Sequence, residues 1–176
     1  MVGKMPQQAL DKSYMGRAAL YGKIPAHGDF VSRGLERLQR SDIDGWLTEW
    51  MKLAKNEWTD GFEDNYRSAQ PWLFSSENLT AILMPSFDKV ERLFPIFAYV
   101  GGGAIIQDVY DAAFSAIAEN ETADQLFESL KALNCDTDFT EAKGWFLPAP
   151  KEVAMPHPFF GGETDWVRGL CSDRNI

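Results

Sequence analysis

Residues 79–85 have the sequence LTAILMP, and this stretch decides the fold class. Apolar side chains occupy both alternating sets of positions in residues 79–84, so we expect a strand inside a sheet that is covered on both faces. Pro85 ends the strand, because proline has no N–H to donate to a neighbouring strand. A sheet that is covered on both faces needs packed elements on each side, so this stretch predicts helices on both faces.

Three further apolar segments predict neighbouring strands. They are residues 18–24, which end at Pro25, residues 71–74, and residues 94–100, which precede three consecutive glycines. Residues 71–74 and 79–84 are close enough in sequence to form a hairpin, with residues 75–78 as its turn. The polar residues 86–92 connect the last two strands.

Apolar residues at spacings of three and four predict helices elsewhere. We expect Ser41 to cap a helix that runs to about Trp58. Its inward face has Ile43, Trp46, Leu47, Trp50, Ala54 and Trp58. A short helical segment is expected between Gly61 and Ser68.

Two more helices are predicted after the glycines. Val109, Tyr110, Ala113, Phe114 and Ile117 mark the first. Thr122 and Gln125 form a capping-box pattern that begins the second, with Leu126, Phe127, Leu130 and Leu133 on its inward face. Strands followed by helices, with one strand buried on both faces, predict an α+β fold.

The composition is that of an acidic globular protein. The chain has 176 residues, with 17 Lys and Arg against 26 Asp and Glu, a net charge of −9 that repels nucleic acid and anionic lipid. The densest basic patch is small: Arg33, Arg37 and Arg40, interleaved with Glu36. We therefore expect no nucleic-acid partner.

The location of the protein follows from three absences in the sequence. No secretory signal opens the chain, and the longest charge-free stretch, residues 93–107, is too broken by proline and glycine to insert in a membrane as a helix of about 20 residues. Cys135 and Cys171 fit no disulfide framework or metal motif. We expect a cytoplasmic protein with a mobile lead-in over residues 1–16 and a single domain over residues 17–176.

The candidates for chemistry are few, since the usual nucleophile and phosphate-loop motifs are missing. His27 and Asp29 lie in one tight turn, and Asp88 and Arg92 lie in the connector between two strands. If the loops meet, His27, Asp29 and Asp88 could bind a divalent metal or transfer protons. The alternative is structural: Asp29 would accept backbone N–H groups, and Asp88 would pair with Arg92 at a spacing of four residues.

Two long motifs resemble a known family. Residues 22–33 have the sequence GKIPAHGDFVSR and residues 84–95 have the sequence MPSFDKVERLFP. Both are similar to the signatures of the TagF (ImpM) family, accessory proteins of bacterial type VI secretion. Trp46, Trp50 and residues 71–74 also fall where that family has aromatic residues. One departure is Glu91, where the family usually has glycine. Glycine permits a positive φ or a close approach of another group, so we expect Glu91 to change the shape of the loop or the surface that it presents.

The resemblance implies a fold and a function. The fold is a three-layer α/β/α sandwich around a mostly antiparallel sheet. The function is non-catalytic: similar proteins repress type VI secretion after translation and oppose a threonine-phosphorylation switch that acts on a forkhead-associated scaffold protein. We therefore expect a regulator that acts by protein binding, with the scaffold protein as its partner and with no cofactor or metal.

The loops around the two motifs are the expected site. We expect them to meet, and we expect their polar residues to form one cluster that is partly structural and partly partner-facing. The members of this cluster are Pro25, His27, Asp29, Ser86, Asp88 and Arg92. Two other functions stay open: a small metal-dependent hydrolase that uses His27, Asp29 and Asp88, and a generic longin-like adaptor that binds through a strand edge or an aromatic face.

Overall fold

The computed structural model describes residues 18–69, 71–75, 79–101 and 104–133. The elements in chain order are β1 (Ala18–Gly22), β2 (Val31–Arg33), α1 (Arg37–Glu57), α2 (Phe62–Ser68), β3 (Trp72–Ser75), β4 (Leu79–Met84), β5 (Ile96–Gly101), α3 (Ile106–Ala118) and α4 (Ala123–Ala132). The expected lead-in over residues 1–16 and both cysteines lie outside the described residues. None of the described helices is long and apolar enough to span a bilayer.

The five strands form one sheet in the order β2-β1-β5-β4-β3. Every pairing between these strands is antiparallel. β4 is an interior strand between β5 and β3, as residues 79–84 predict, while β5 lies at the centre of the sheet. Ala98 of β5 pairs with Leu20 on one side and Ile82 on the other.

Helices cover both faces of the sheet and form two separate cores. On one face α1 and α2 pack on the strand residues Ala19, Tyr21, Ala81, Leu83, Phe97 and Tyr99. On the other face α3 and α4 pack on Ala18, Leu20, Ile82, Met84, Ile96, Ala98 and Val100. The alternation along each strand follows from the two-residue period of a β-strand. The α+β fold with an α/β/α sandwich is confirmed.

The start of α1 and the presence of β2 are the main differences from the sequence prediction, while the ends of β1, β3 and β5 are shifted by one or two residues. α1 begins at Arg37 rather than after Ser41, because residues 37–40 are good helix formers and the Gln39 side chain accepts the Glu36 N–H at 3.0 Å. The three-residue strand β2 is an element that the sequence does not predict. Residues 31–33 are too short for a detectable alternating pattern, and their pairing with β1 defines the strand.

The strand pairing places the two signature loops at one end of the sheet. Gly22 at the end of β1 and Met84 at the end of β4 both pair with Ile96 at the start of β5. Residues 23–30 leave this end as the first loop, and residues 85–95 connect β4 to β5 there as the second loop. We call the surface that these two loops form together the two-loop surface.

Candidate functional site

The two loops are in direct contact although about sixty positions separate them. The Lys89 N–H donates to the His27 carbonyl at 2.8 Å, and the Arg92 guanidinium donates to the Gly28 carbonyl. The Lys23 ammonium forms an ion pair with Asp88 at 2.8 Å. Backbone and side-chain contacts together hold the two loops as one unit.

Asp88 is the centre of this unit. Its side chain has no exposed surface. One carboxylate oxygen accepts the N–H groups of Val90 and Arg92 at 3.1 and 3.0 Å. The other oxygen accepts from Lys23 Nζ at 2.8 Å and Arg92 Nε at 2.7 Å. Four donors therefore saturate a carboxylate that water does not reach.

The hydrogen bonds decide the charge of Asp88. Burial by itself raises the pKa of the carboxyl, but the bonds from Lys23 and Arg92 outweigh burial and hold the pKa well below its usual range. Asp88 is thus ionised at every physiological pH. The pairing of Asp88 with Arg92 is the structural alternative that the spacing of four residues suggested.

Lys23 is the partner that the sequence reasoning did not single out. It is 6% exposed, and its ammonium group lies 5.0 Å from the centre of the Phe30 ring as well as against Asp88. Lys23 lies within the apolar run of residues 18–24, which indicates that its side chain is buried. A lysine is rarely buried without a carboxylate partner, so this position also indicates that a carboxylate lies nearby. The sequence could therefore indicate the need for a partner but not its identity.

Gly22 allows the first loop to approach the second. Its φ is +140°, and a Cβ atom at this position would lie 2.0 Å from the Pro95 carbonyl oxygen. Only glycine tolerates both the backbone conformation and the contact. This explains why the first motif begins with glycine.

His27 connects the first loop to α4. Its Nε2 accepts the backbone N–H of Ala123, the first residue of that helix, at 2.9 Å. The bond needs a lone pair on Nε2, so the proton of the neutral ring lies on Nδ1. An N–H group at a helix start has no partner within its helix, so His27 supplies one from a distant loop.

Pro25 and Asp29, two further residues of the predicted cluster, shape the first loop near the surface. Pro25 follows Ile24 in a turn that the His27 N–H closes on the Ile24 carbonyl at 3.1 Å, a position where proline is favoured. Asp29 is exposed and accepts the Phe30 N–H at 2.8 Å. Asp29 therefore stabilises the first loop locally and does not contact Asp88 through any hydrogen bond in the described structure.

Ser86 lies beneath the second loop. It is 1% exposed, and its backbone N–H and carbonyl both bond to the Tyr66 hydroxyl of α2, at 3.1 and 3.2 Å. Its own hydroxyl has no hydrogen-bond partner among the described residues. Ser86 thus attaches the loop to α2 through its backbone, and Tyr66 is a second contributor that the sequence reasoning missed.

The structure does not assemble the metal site considered from the sequence. Within the described ranges, no group of three or more His, Cys, Asp and Glu side chains could hold a metal ion. His27 Nε2 is occupied by the Ala123 N–H, and the Asp88 carboxylate by two cations. A metal at these residues would have to displace bonds that hold the loops together.

Glu91 adopts the backbone conformation that its position in the motif suggests. Its φ is 63°, in the left-handed region that favours glycine. The Glu91 N–H donates to the Asp88 carbonyl at 2.8 Å, and its carboxylate lies 3.5 Å from the Arg67 guanidinium. Glu91 therefore adopts a backbone conformation that glycine adopts more easily, with strain of about 1 kcal/mol.

Two apolar side chains project from this rigid frame. Phe30 is 44% exposed and Val90 is 66% exposed. Phe30 is fixed by stacking on Tyr21 at 5.8 Å and by an edge contact with Phe94 at 4.9 Å. Apolar groups held in place at the surface are typical of a recognition face, since little entropy is lost when they dock.

Comparison with known proteins gives a family match over the part of the chain that has both signature loops. The family model described as TagF N-terminal domain, Type VI secretion system-associated, matches residues 19–141. The crystal structure of PA0076 from Pseudomonas aeruginosa PAO1 is similar in fold, with a TM-score of 0.55 and 25% sequence identity. The similarity covers 68% of this chain and 64% of that chain. No curated protein gives a significant match.

Proposed function

Because the chain belongs to the TagF N-terminal domain family, which is associated with type VI secretion, we propose that it represses this secretion after translation by binding another protein. The observation that carries the proposal is the two-loop surface. Lys23, Asp88 and Arg92 hold both signature loops in one arrangement before any partner arrives. The family motifs therefore coincide with a preorganised docking face.

The proposed action involves no catalytic turnover. Two of the three polar groups considered for chemistry in these loops already serve structural bonds, His27 to α4 and Asp88 to two cations, whereas Asp29 is exposed and accepts only the Phe30 N–H. A catalytic base needs a free lone pair within reach of a substrate. The arrangement favours binding over acid–base chemistry.

The proposed partner is the forkhead-associated scaffold protein of the threonine-phosphorylation pathway, and the proposed location is the cytoplasm. Support for both comes from the resemblance of residues 22–33 and 84–95 to the family signatures. The surface offers two exposed apolar side chains, Phe30 and Val90, each next in the sequence to an exposed charged residue, Asp29 and Lys89. An apolar centre with a polar rim is the usual anatomy of a protein interface.

The experiment that tests this function combines binding with secretion. The full chain is expressed in a bacterium that has an active type VI system, and the amount of secreted substrate in the medium is measured. In parallel, isothermal titration calorimetry measures the affinity of the purified chain for the purified scaffold. We expect reduced secretion at an unchanged level of the scaffold, together with saturable binding. Unchanged secretion at high expression would contradict the repressor function.

A further inference from the structure

A pocket of about 340 Å³ lies beside the two-loop surface. Its walls are the edge strand β2, the first two turns of α1 and the ring of Phe30. The lining residues are Tyr21, Phe30, Val31, Ser32, Arg37, Arg40, Ser41 and Asp44. The polar and the apolar residues thus share one cavity at the edge of the sheet.

The arginines of the pocket differ from the other described arginines. Arg33, Arg67 and Arg92 each form an ion pair, with Asp124, Glu63 and Asp88. Arg37 and Arg40 form none with any residue that the structure describes, although the chain has 26 acidic residues. The two described arginines that form no ion pair therefore both line the same cavity.

The rest of the lining complements these cations. The hydroxyls of Ser32 and Ser41 have no hydrogen-bond partner among the described residues. The one carboxylate, Asp44, accepts the Tyr21 hydroxyl at 2.6 Å. Burial and this bond raise the pKa of the Tyr21 hydroxyl, so it stays a donor and offsets part of the Asp44 charge. Two arginines against one carboxylate leave the lining with a positive charge.

From these features we infer that the pocket binds a phosphate monoester that is attached to an apolar group. Two guanidinium groups match the dianionic charge of a phosphate monoester, and their planar N–H donors bond its oxygens in pairs. Two hydroxyl donors can satisfy the remaining oxygen. Phe30 and Val31 supply the contact for the apolar part of the ligand.

The charge and the apolar part of the lining favour this ligand over simpler ones. A carboxylate has one negative charge and two oxygens, so it would leave one guanidinium unmatched. Inorganic phosphate would match the arginines but would make no apolar contact with the exposed part of the Phe30 ring. The source of the monoester is a phosphorylated protein side chain or a small phosphorylated molecule, and the two share the recognised chemistry.

The test titrates the full chain with phenyl phosphate, which combines a dianion with an aromatic ring. Calorimetry measures the dissociation constant, and the side-chain Nε–H signals of Arg37 and Arg40 in the ¹⁵N spectrum locate the site. We expect saturable binding at one site. Arg37→Gln and Arg40→Gln are each expected to weaken it roughly tenfold or more, since each removes charge-assisted hydrogen bonds. Arg67→Gln is the matched control, and its affinity should equal that of the unaltered chain.

Three further ligands test separately the charge, the aromatic ring and the source of the phosphate monoester. Phenyl sulfate has the same shape with one negative charge, and inorganic phosphate lacks the ring, so both should bind more weakly than phenyl phosphate. A tripeptide with phosphoserine between two leucines distinguishes the sources: tighter binding than phenyl phosphate identifies a phosphorylated protein, and weaker binding identifies a small molecule. Asp44→Asn should tighten binding because it removes a like charge.

The proposal is overturned by two results. One is the absence of saturable binding by phenyl phosphate in a chain that unfolds cooperatively. The other is equal binding by the two arginine variants and the Arg67→Gln control. Arg37 and Arg40 are exposed and unpaired, so their replacement should leave the melting temperature unchanged. Loss of binding would then be assigned to the pocket and not to unfolding.

Discussion

Replacement of Asp88 by asparagine tests the bracing of the two loops. The amide keeps the shape of the side chain, and its oxygen can still accept the N–H groups of Val90 and Arg92. The change removes the negative charge that faces Lys23 and the Arg92 guanidinium. The structure therefore predicts a loss of folding stability that comes from the removed charge and not from a change in packing.

The size of the change in the free energy of unfolding follows from how exposed the side chains of Lys23 and Arg92 are. The Arg92 side chain is 59% exposed and can be hydrated when its partner is lost, whereas the Lys23 side chain is 8% exposed and cannot. Removal of one partner from a buried ion pair costs about 3–5 kcal/mol. Because only one cation is left buried, we expect the lower end, about 3 kcal/mol. This corresponds to a fall in melting temperature of roughly 6–12 °C.

Thermal and urea unfolding of the full chain measure this loss. Glu63→Gln is the matched control, since it makes the same carboxylate-to-amide change in the exposed pair with Arg67 and should cost less than about 1 kcal/mol. The double variant Lys23→Met with Asp88→Asn removes the unmatched charge, so its loss should be smaller than the sum of the two single losses.

The same comparison has a definite pH dependence. The pKa of Asp88 is lowered in the folded state, so its contribution is present above the unfolded value of about 3.9 and is lost as the pH falls towards the folded value. The stability difference between the unaltered chain and Asp88→Asn should therefore be constant near neutral pH and shrink below about pH 4. A loss of under about 1 kcal/mol at pH 7, or a difference that does not change in acid, would refute the bracing role.

Three further substitutions test individual contacts of the loops by urea unfolding. Gly22→Ala should lower the free energy of unfolding by about 3 kcal/mol or more, because its Cβ would meet the Pro95 carbonyl; a neutral result would contradict the close approach. Glu91→Gly should raise that free energy by roughly 0.5–1 kcal/mol through relief of the positive φ, and a decrease would argue against strain there. His27→Ala should cost about 1 kcal/mol and speed hydrogen exchange at the Ala123 amide; unchanged exchange would remove the capping contact.

Local patterns in the sequence predicted most of the fold. The apolar residues 79–84 identify an interior strand, and Thr122 with Gln125 forms the predicted capping box at the start of α4. Both signals lie within a few residues of the element that they define. β2 was not predicted because three residues are too few to show an alternating pattern of apolar and polar side chains. Its pairing with β1 depends on the fold.

The site was predictable only where its contacts are local. The pairing of Asp88 with Arg92 follows from a spacing of four residues, and the positive φ at Glu91 is one of the two reasons for which the family motif would have glycine there. The Lys23–Asp88 pair spans 65 positions and the bond from Ala123 to His27 spans 96. One sequence does not show which distant residues meet, so these contacts needed the structure.

The most direct test of the proposed docking through the two-loop surface is the affinity of two aspartate variants for the proposed partner, the forkhead-associated scaffold. Val90 on the second loop and Ile105 before α3 are 66% and 67% exposed, and Ile105 follows the opposite end of β5. Calorimetry should show at least roughly tenfold weaker binding for Val90→Asp, as is common for an apolar interface residue, with an unchanged melting temperature and with Ile105→Asp unaffected. Equal affinities of the two variants, or a loss confined to Ile105→Asp, would contradict docking at the two loops.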